Sequence, residues 1–132
     1  VGQIIEDPGS PDDGMLIDFA DLKKFMTEEI HDVLDHGFIV YKGDVDMQRS
    51  LCTDGSIDLG DPQGRFGWKV IIFPYVPTAE NIARWAWERL EPRIKGHFRD
   101  NLRLDEVHVW ETPTSVAYYY GPNYEYQFGG NE

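Results

Sequence analysis

Between residues 18 and 36, Phe19, Leu22, Phe25, Met26, Ile30, Val33 and Leu34 fall on one stripe when the chain is wound with a helical period. Asp18 stands ahead of that stripe as an N-cap, with Asp21 three residues on, and Gly37 reads as the terminator because glycine takes the left-handed conformation at small cost. Ahead of this helix, Val1 to Ile5 reads as the end of a strand, and residues 7–14 are dense in Asp, Pro, Gly and Ser, the residues of turns. From Tyr41 to Gly67 no period is sustained, which predicts a long excursion with at most short structure.

Trp68 to Phe73 is a short apolar run ended by Pro74 and Pro77, and it reads as a buried strand. A second helix is expected from the Thr78 cap, with Ile82, Ala83, Ala86, Leu90 and Ile94 facing inward, Glu80 and Asn81 serving its start, and Gly96 marking its close. Glu106 to Glu111 then alternates with a period of two: Val107, Val109 and Glu111 share one face, His108 and Trp110 the other. Thr112 to Thr114 forms a connection, and Ser115 to Tyr120 its antiparallel partner. Past Gly121 the Asn-, Tyr- and Gly-rich tail reads as either a mobile end or an arm reaching a neighbouring subunit. The fold class is therefore α+β, a small antiparallel sheet with two helices on one face, in a single domain over residues 1–132.

Composition narrows the partners. The 132 residues carry a formal net charge of -12, which disfavours attraction to phosphate backbones and anionic membranes, so nucleic acid is not an expected partner. An anionic small molecule remains compatible if basic residues converge locally. One cysteine, Cys52, makes no intrachain disulfide and no Cys-x-x-Cys pair, which points to a reducing, cytoplasmic compartment. No apolar run approaches the roughly 20 residues needed to cross a bilayer, and no signal-peptide pattern opens the chain.

Candidate chemistry is sparse. His31, His36, His97 and His108 are scattered, with no His-x-His and no His-x-x-x-His pair for a metal. Asp35 and His36 lie together at a helix end, where the bland reading is a cation meeting the helix dipole. Glu111, on the face of Val107 and Val109, is expected to point toward a covered surface and so to need a partner. Lys42, Arg65 and Lys69 are candidates for binding phosphates, with solvated surface charge as the default for each.

Four segments, in this order, change the weighting: Gly14 to Phe19 with Leu22-Lys23, Leu34-Asp35-His36, Pro77 to Ala83, and Val107 to Thr112. Together they resemble the 6-pyruvoyl-tetrahydropterin synthase and 6-carboxytetrahydropterin synthase family, whose tunnelling fold runs strand-strand-helix-helix-strand-strand. The resemblance implies that Asp35 and His36 assist proton transfer on the side chain of a dihydropterin, and that Glu111, with Thr112 beside it, anchors the two-donor edge of the pterin ring. It implies a substrate, 7,8-dihydroneopterin triphosphate, converted with loss of triphosphate to 6-pyruvoyltetrahydropterin or, with further carbon loss, to 6-carboxytetrahydropterin. It also implies a zinc ion held by three histidines and a nearby cysteine base. None of those ligand motifs occurs in this sequence, so no metal ligand is assigned and the zinc segment is expected before Val1. Cys52 lies in the excursion and reads as an ordinary thiol. The same resemblance implies trimers that pair into hexamers. The alternative is a non-catalytic homologue that keeps the fold for pterin binding or assembly.

Overall fold

A computed structural model describes residues 2–51, 69–98 and 102–122. Cys52, Arg65, Trp68 and the tail after Pro122 fall outside the described residues.

The first apolar stripe forms a continuous helical segment. Helix α1 runs Phe19–Met26, a π-helical turn follows over Thr27–His31, and α2 closes it over Asp32–Leu34. Asp18 caps its start as expected: the backbone is extended there and Oδ1 accepts from the Ala20 N–H at 2.8 Å. The end differs from expectation. His36, not Gly37, takes the left-handed conformation, with φ 54°. Gly37 instead opens a strand, β1 (Gly37–Tyr41).

β1 is the element missing from the sequence reading. It leads through a short helix, α3 (Val45–Leu51), and the crossover 42–68 to β2 (Lys69–Phe73), which falls within the predicted strand. The two strands pair in parallel, Gly37 opposite Lys69 and Tyr41 opposite Phe73, which corrects the expectation of a wholly antiparallel sheet. Parallel neighbours require such a crossover, and the excursion supplies it. Gln48 on α3 is fully buried, and its Nε2 donates to the Tyr41 and Lys42 carbonyls at 3.1 and 2.8 Å, tying α3 to the end of β1.

Thr78 begins the long helix α4 (Ala79–Phe98), its Oγ1 accepting from the Asn81 N–H at 3.3 Å, and α4 continues through Gly96 to Phe98. β3 (Val107–Thr112) and β4 (Ser115–Tyr119) form the predicted antiparallel hairpin and pack on α4. The N-terminal stretch is less regular than the expected strand end. Gly2 makes a single antiparallel bridge to Leu102, and Ile5 exchanges backbone hydrogen bonds with Gly14 and Met15.

Three apolar clusters among the described residues join these parts, one of them Val40, Leu51 and Val70 between β1, α3 and β2. Phe25 packs with Leu90, Ile94 and Leu102. Phe73, wholly buried, packs with Trp85 and Ala86, and Ile30, Val33, Leu34, Ile39, Ile71 and Val107 close around them. Burying one such aromatic side chain contributes about 1.5–3 kcal/mol. No described helix is long and apolar enough to cross a membrane.

Gly37 is fixed by space and not by φ. A Cβ there would overlap Ile71 Cδ1 on β2 and sit 3.2 Å from the Leu34 carbonyl oxygen. Gly37→Ala should therefore cost about 1–3 kcal/mol. Ile71→Val removes the overlapping methyl and should cost about 0.5–1.5 kcal/mol alone. The double variant should cost less than the sum, measured by urea denaturation; strict additivity would dissociate the two positions.

Candidate functional site

The helix end at residues 34–37 determines what Asp35 and His36 can do. Inside a helix, adjacent side chains diverge. Here Asp35 has left the helix, with φ −58° and ψ 126°, and His36 turns back through its left-handed backbone. The carboxylate and imidazole consequently meet, Asp35 Oδ2 lying 3.1 Å from His36 Nδ1. The hydrogen bond from His36 is the largest cause holding the Asp35 carboxyl below its ordinary value of 3.8; partial desolvation opposes it, and the nearby charges of His36, His31 and Lys69 add to it. With Nδ1 held by the carboxylate, Nε2 is left as the imidazole nitrogen that can give or take a proton. His36 is 92% exposed in the single chain, so a substrate can reach it.

Glu111 and Thr112 sit at the far end of the hairpin. Regular pairing runs from Val107–Tyr119 to Trp110–Val116, then shifts by one residue before Thr112–Ser115, so Glu111 occupies a bulge. Val107 and Val109 are half-buried, whereas Glu111 is exposed. In the single chain this corrects the expectation of a covered carboxylate: the residue sits in the bulge and is exposed. Thr112 Oγ1 accepts from the Thr114 N–H at 3.3 Å, so its hydroxyl closes the turn. The structure thus brings the Asp35 and His36 side chains together and sets Glu111 beside Thr112, with no hydrogen bond or ion pair between the two pairs among the described residues.

The other sequence candidates separate clearly. Every histidine faces an acidic side chain: His31 Nδ1 lies 3.3 Å from Asp32, His97 Nε2 3.1 Å from Asp21, and His108 Nε2 3.0 Å from Glu106. Among the described residues no group of three or more His, Cys, Asp and Glu could hold a metal ion. Lys69, weighed above as a phosphate contact, instead donates to the carbonyls of Asp32 at 2.5 Å and Asp35 at 3.3 Å. Its role was hidden because β1 was hidden. The signal available was the run Phe38-Ile39-Val40-Tyr41, four strand-favouring residues directly after Gly37. Of the tryptophans, Trp85 is core, Trp87 meets Tyr119 edge-on at 5.9 Å, and Trp110 is 62% exposed on the outer hairpin face.

Comparison with known proteins agrees with this architecture. The family described as 6-pyruvoyl tetrahydropterin synthase matches residues 4–122. The chain is similar to 6-carboxy-5,6,7,8-tetrahydropterin synthase of Haemophilus influenzae, 31% identical over 105 residues, covering 80% of this chain and 64% of that protein. The protein of the same name from Rickettsia conorii is 28% identical over 102 residues, covering 76% of this chain and 63% of its own. The chain therefore spans a little under two thirds of the length of these curated relatives. Among solved structures, an uncharacterized protein of Wolinella succinogenes superimposes with a TM-score of 0.61 at 29% identity, over 83% of this chain and 69% of that one.

The Asp35–His36 contact has a pH signature. Because the folded carboxyl titrates below 3.8, its contribution to stability is complete above that value and is lost as pH falls through the lowered one. The stability difference between the parent and Asp35→Asn should therefore be fully developed at about pH 5 and shrink toward pH 2. Urea denaturation across that range measures it, and a difference that grows on acidification would contradict the lowered carboxyl.

Proposed function

From the premise that this chain belongs to the 6-pyruvoyl tetrahydropterin synthase family, we propose that it serves a pterin-forming lyase acting on 7,8-dihydroneopterin triphosphate. The names of its curated relatives favour 6-carboxytetrahydropterin as the product over 6-pyruvoyltetrahydropterin. The observation that carries the reading is the 3.1 Å contact between Asp35 and His36 at the unwound helix end. A carboxylate-oriented imidazole works near neutrality and can shuttle a proton between side-chain carbons. Loss of triphosphate follows from such shifts, because removing a proton from the carbon adjacent to the one that bears the triphosphate oxygen leaves an electron pair that forms a C=C bond as the C–O bond breaks and triphosphate departs.

Glu111 supplies the second part of the reading. A carboxylate presents two acceptor oxygens in one plane, which complements the 2-amino group and adjacent ring N–H of a pterin. The family implies zinc, whose chemistry is polarisation of side-chain oxygens. The described residues do not fit a zinc site, since each histidine is paired with a carboxylate and no ligand cluster forms.

Incubation of the full protein with 7,8-dihydroneopterin triphosphate, followed by chromatography of pterins and assay of released triphosphate, tests the reaction. His36→Ala should lower turnover by roughly 10² to 10⁴, the range for loss of an acid–base group. Unchanged turnover at saturating substrate would return His36 to helix termination. Glu111→Gln places an N–H against a ring donor and should weaken a non-reacting pterin such as biopterin by about tenfold or more, followed by fluorescence titration. Equal affinities would sink the anchor assignment.

A further inference from the structure

The geometry points to Lys69 as the positioning residue of the Asp35–His36 pair, its ammonium closing the helix end on the Asp32 and Asp35 carbonyls and so fixing the turn on which carboxylate and imidazole meet. This inference rests on the acid–base reading of that pair and adds a residue to it from a different part of the chain.

Parallel pairing sets Lys69 opposite Gly37, the residue immediately after His36. From there Nζ reaches back to two carbonyls of the terminal turn, at 2.5 Å to Asp32 and 3.3 Å to Asp35. Carbonyls of a helix's last turn have no further helical N–H to receive, and a cation is favoured at that negative end. One ammonium with three donors can serve both carbonyls at once.

Those two carbonyls bracket the geometry that matters. The last backbone hydrogen bond of the helix runs from the Asp35 N–H to the His31 carbonyl at 2.8 Å, after which the chain leaves the helix at Asp35 and turns left-handed at His36. A non-glycine residue at φ 54° persists only where its surroundings over-determine it. Two contacts from β2 do so: Lys69 holds the carbonyl of Asp35 on one side of His36, and the packing of Ile71 against Gly37 holds the other. Release of the Lys69 contact frees Asp35 ψ and His36 φ, and with them the 3.1 Å separation of the side chains. The charges acting on Asp35 are those of His36, His31 and Lys69, so Lys69 also favours the ionised carboxylate that orients the ring.

The test uses the full protein with Lys69→Met, which keeps the stem and removes the donors, and Lys69→Arg, which keeps charge and donors. ¹⁵N-histidine NMR reads the ring nitrogens of His36 directly, assigned by their loss in His36→Ala. Lys69→Met should move the His36 nitrogen shifts toward those of Asp35→Asn and lower kcat by about 10- to 100-fold with KM within about twofold, as expected for a misplaced rather than missing group. Lys69→Arg should restore both most of the way. Unchanged His36 shifts and kcat in Lys69→Met, with only a lower melting temperature, would reduce Lys69 to a helix cap and overturn the inference. Should Lys69→Met fail to fold, Lys69→Leu, which likewise has no donor, carries the same comparison. The NMR arm is independent of turnover, so a catalytically silent His36→Ala would refute the acid–base reading while the ring shifts still decide what Lys69 positions.

Discussion

The first helical segment is held against α4 by a network of two acids and two arginines, and the site geometry descends from it. Arg93 reaches Glu29 through Nη1 at 2.7 Å and Glu28 through Nη2 at 2.8 Å, while Arg89 Nη2 meets Glu29 at 2.9 Å. Arg89 Nε also donates to the Glu29 backbone carbonyl at 2.8 Å. The guanidinium planes lie over Trp85 and Phe25, at 5.1 and 4.6 Å from the ring centroids. Isolated exposed ion pairs contribute little, but a shared, partly buried and stacked network loses less side-chain entropy per bond. Arg93 accordingly holds its proton more firmly than usual, through its bonds to Glu28 first and Glu29 second.

That network coincides with the π turn. The Asp32 N–H bonds to the Thr27 carbonyl, five residues back, in the same stretch where Glu29 gives its carbonyl to Arg89. The widened turn changes which residues share a face. Phe25 and Ile30 are five apart, which in a uniform α-helix would set them about 140° apart around the axis. With one residue absorbed by the wide turn, Phe25 is buried with Ile30 packed against its cluster, and Met26 is left 49% exposed. Val33 and Leu34 then face Phe73 and Trp85, and the chain leaves the helix at Asp35 directly beside the start of β2.

This explains what was legible in the sequence. The caps at Asp18 and Thr78, the strand at Lys69–Phe73 and the hairpin were readable because each is governed by neighbours within a few residues. The π turn was not, because it coincides with a contact from a guanidinium some sixty residues away, Arg89 on Glu29. For the same reason the stripe was read with Met26 inside. β1 escaped because Gly37 was given the role of a stop, whereas the left-handed residue is His36 and the glycine is demanded by Ile71 on another strand. Asp35 and His36 were found through family resemblance alone; their local chemistry favours a helix terminus, and only the unwound backbone makes them a pair.

The placement of the two candidate pairs sets a further physical condition. His36 is almost fully exposed and Glu111 stands exposed in a bulge, so in a single chain both groups face solvent. A carboxylate in water gains little by trading water for a ring donor, and a solvated imidazole discriminates poorly among proton acceptors. The same groups become selective when a cover excludes water, because hydrogen bonds and charges act more strongly in a lower dielectric. Local turns are what aim these side chains: the left-handed His36 under Lys69, and the bulge at Glu111. Their chemical strength depends on what closes over them, and the backbone holds them outward, where such a cover has to meet them.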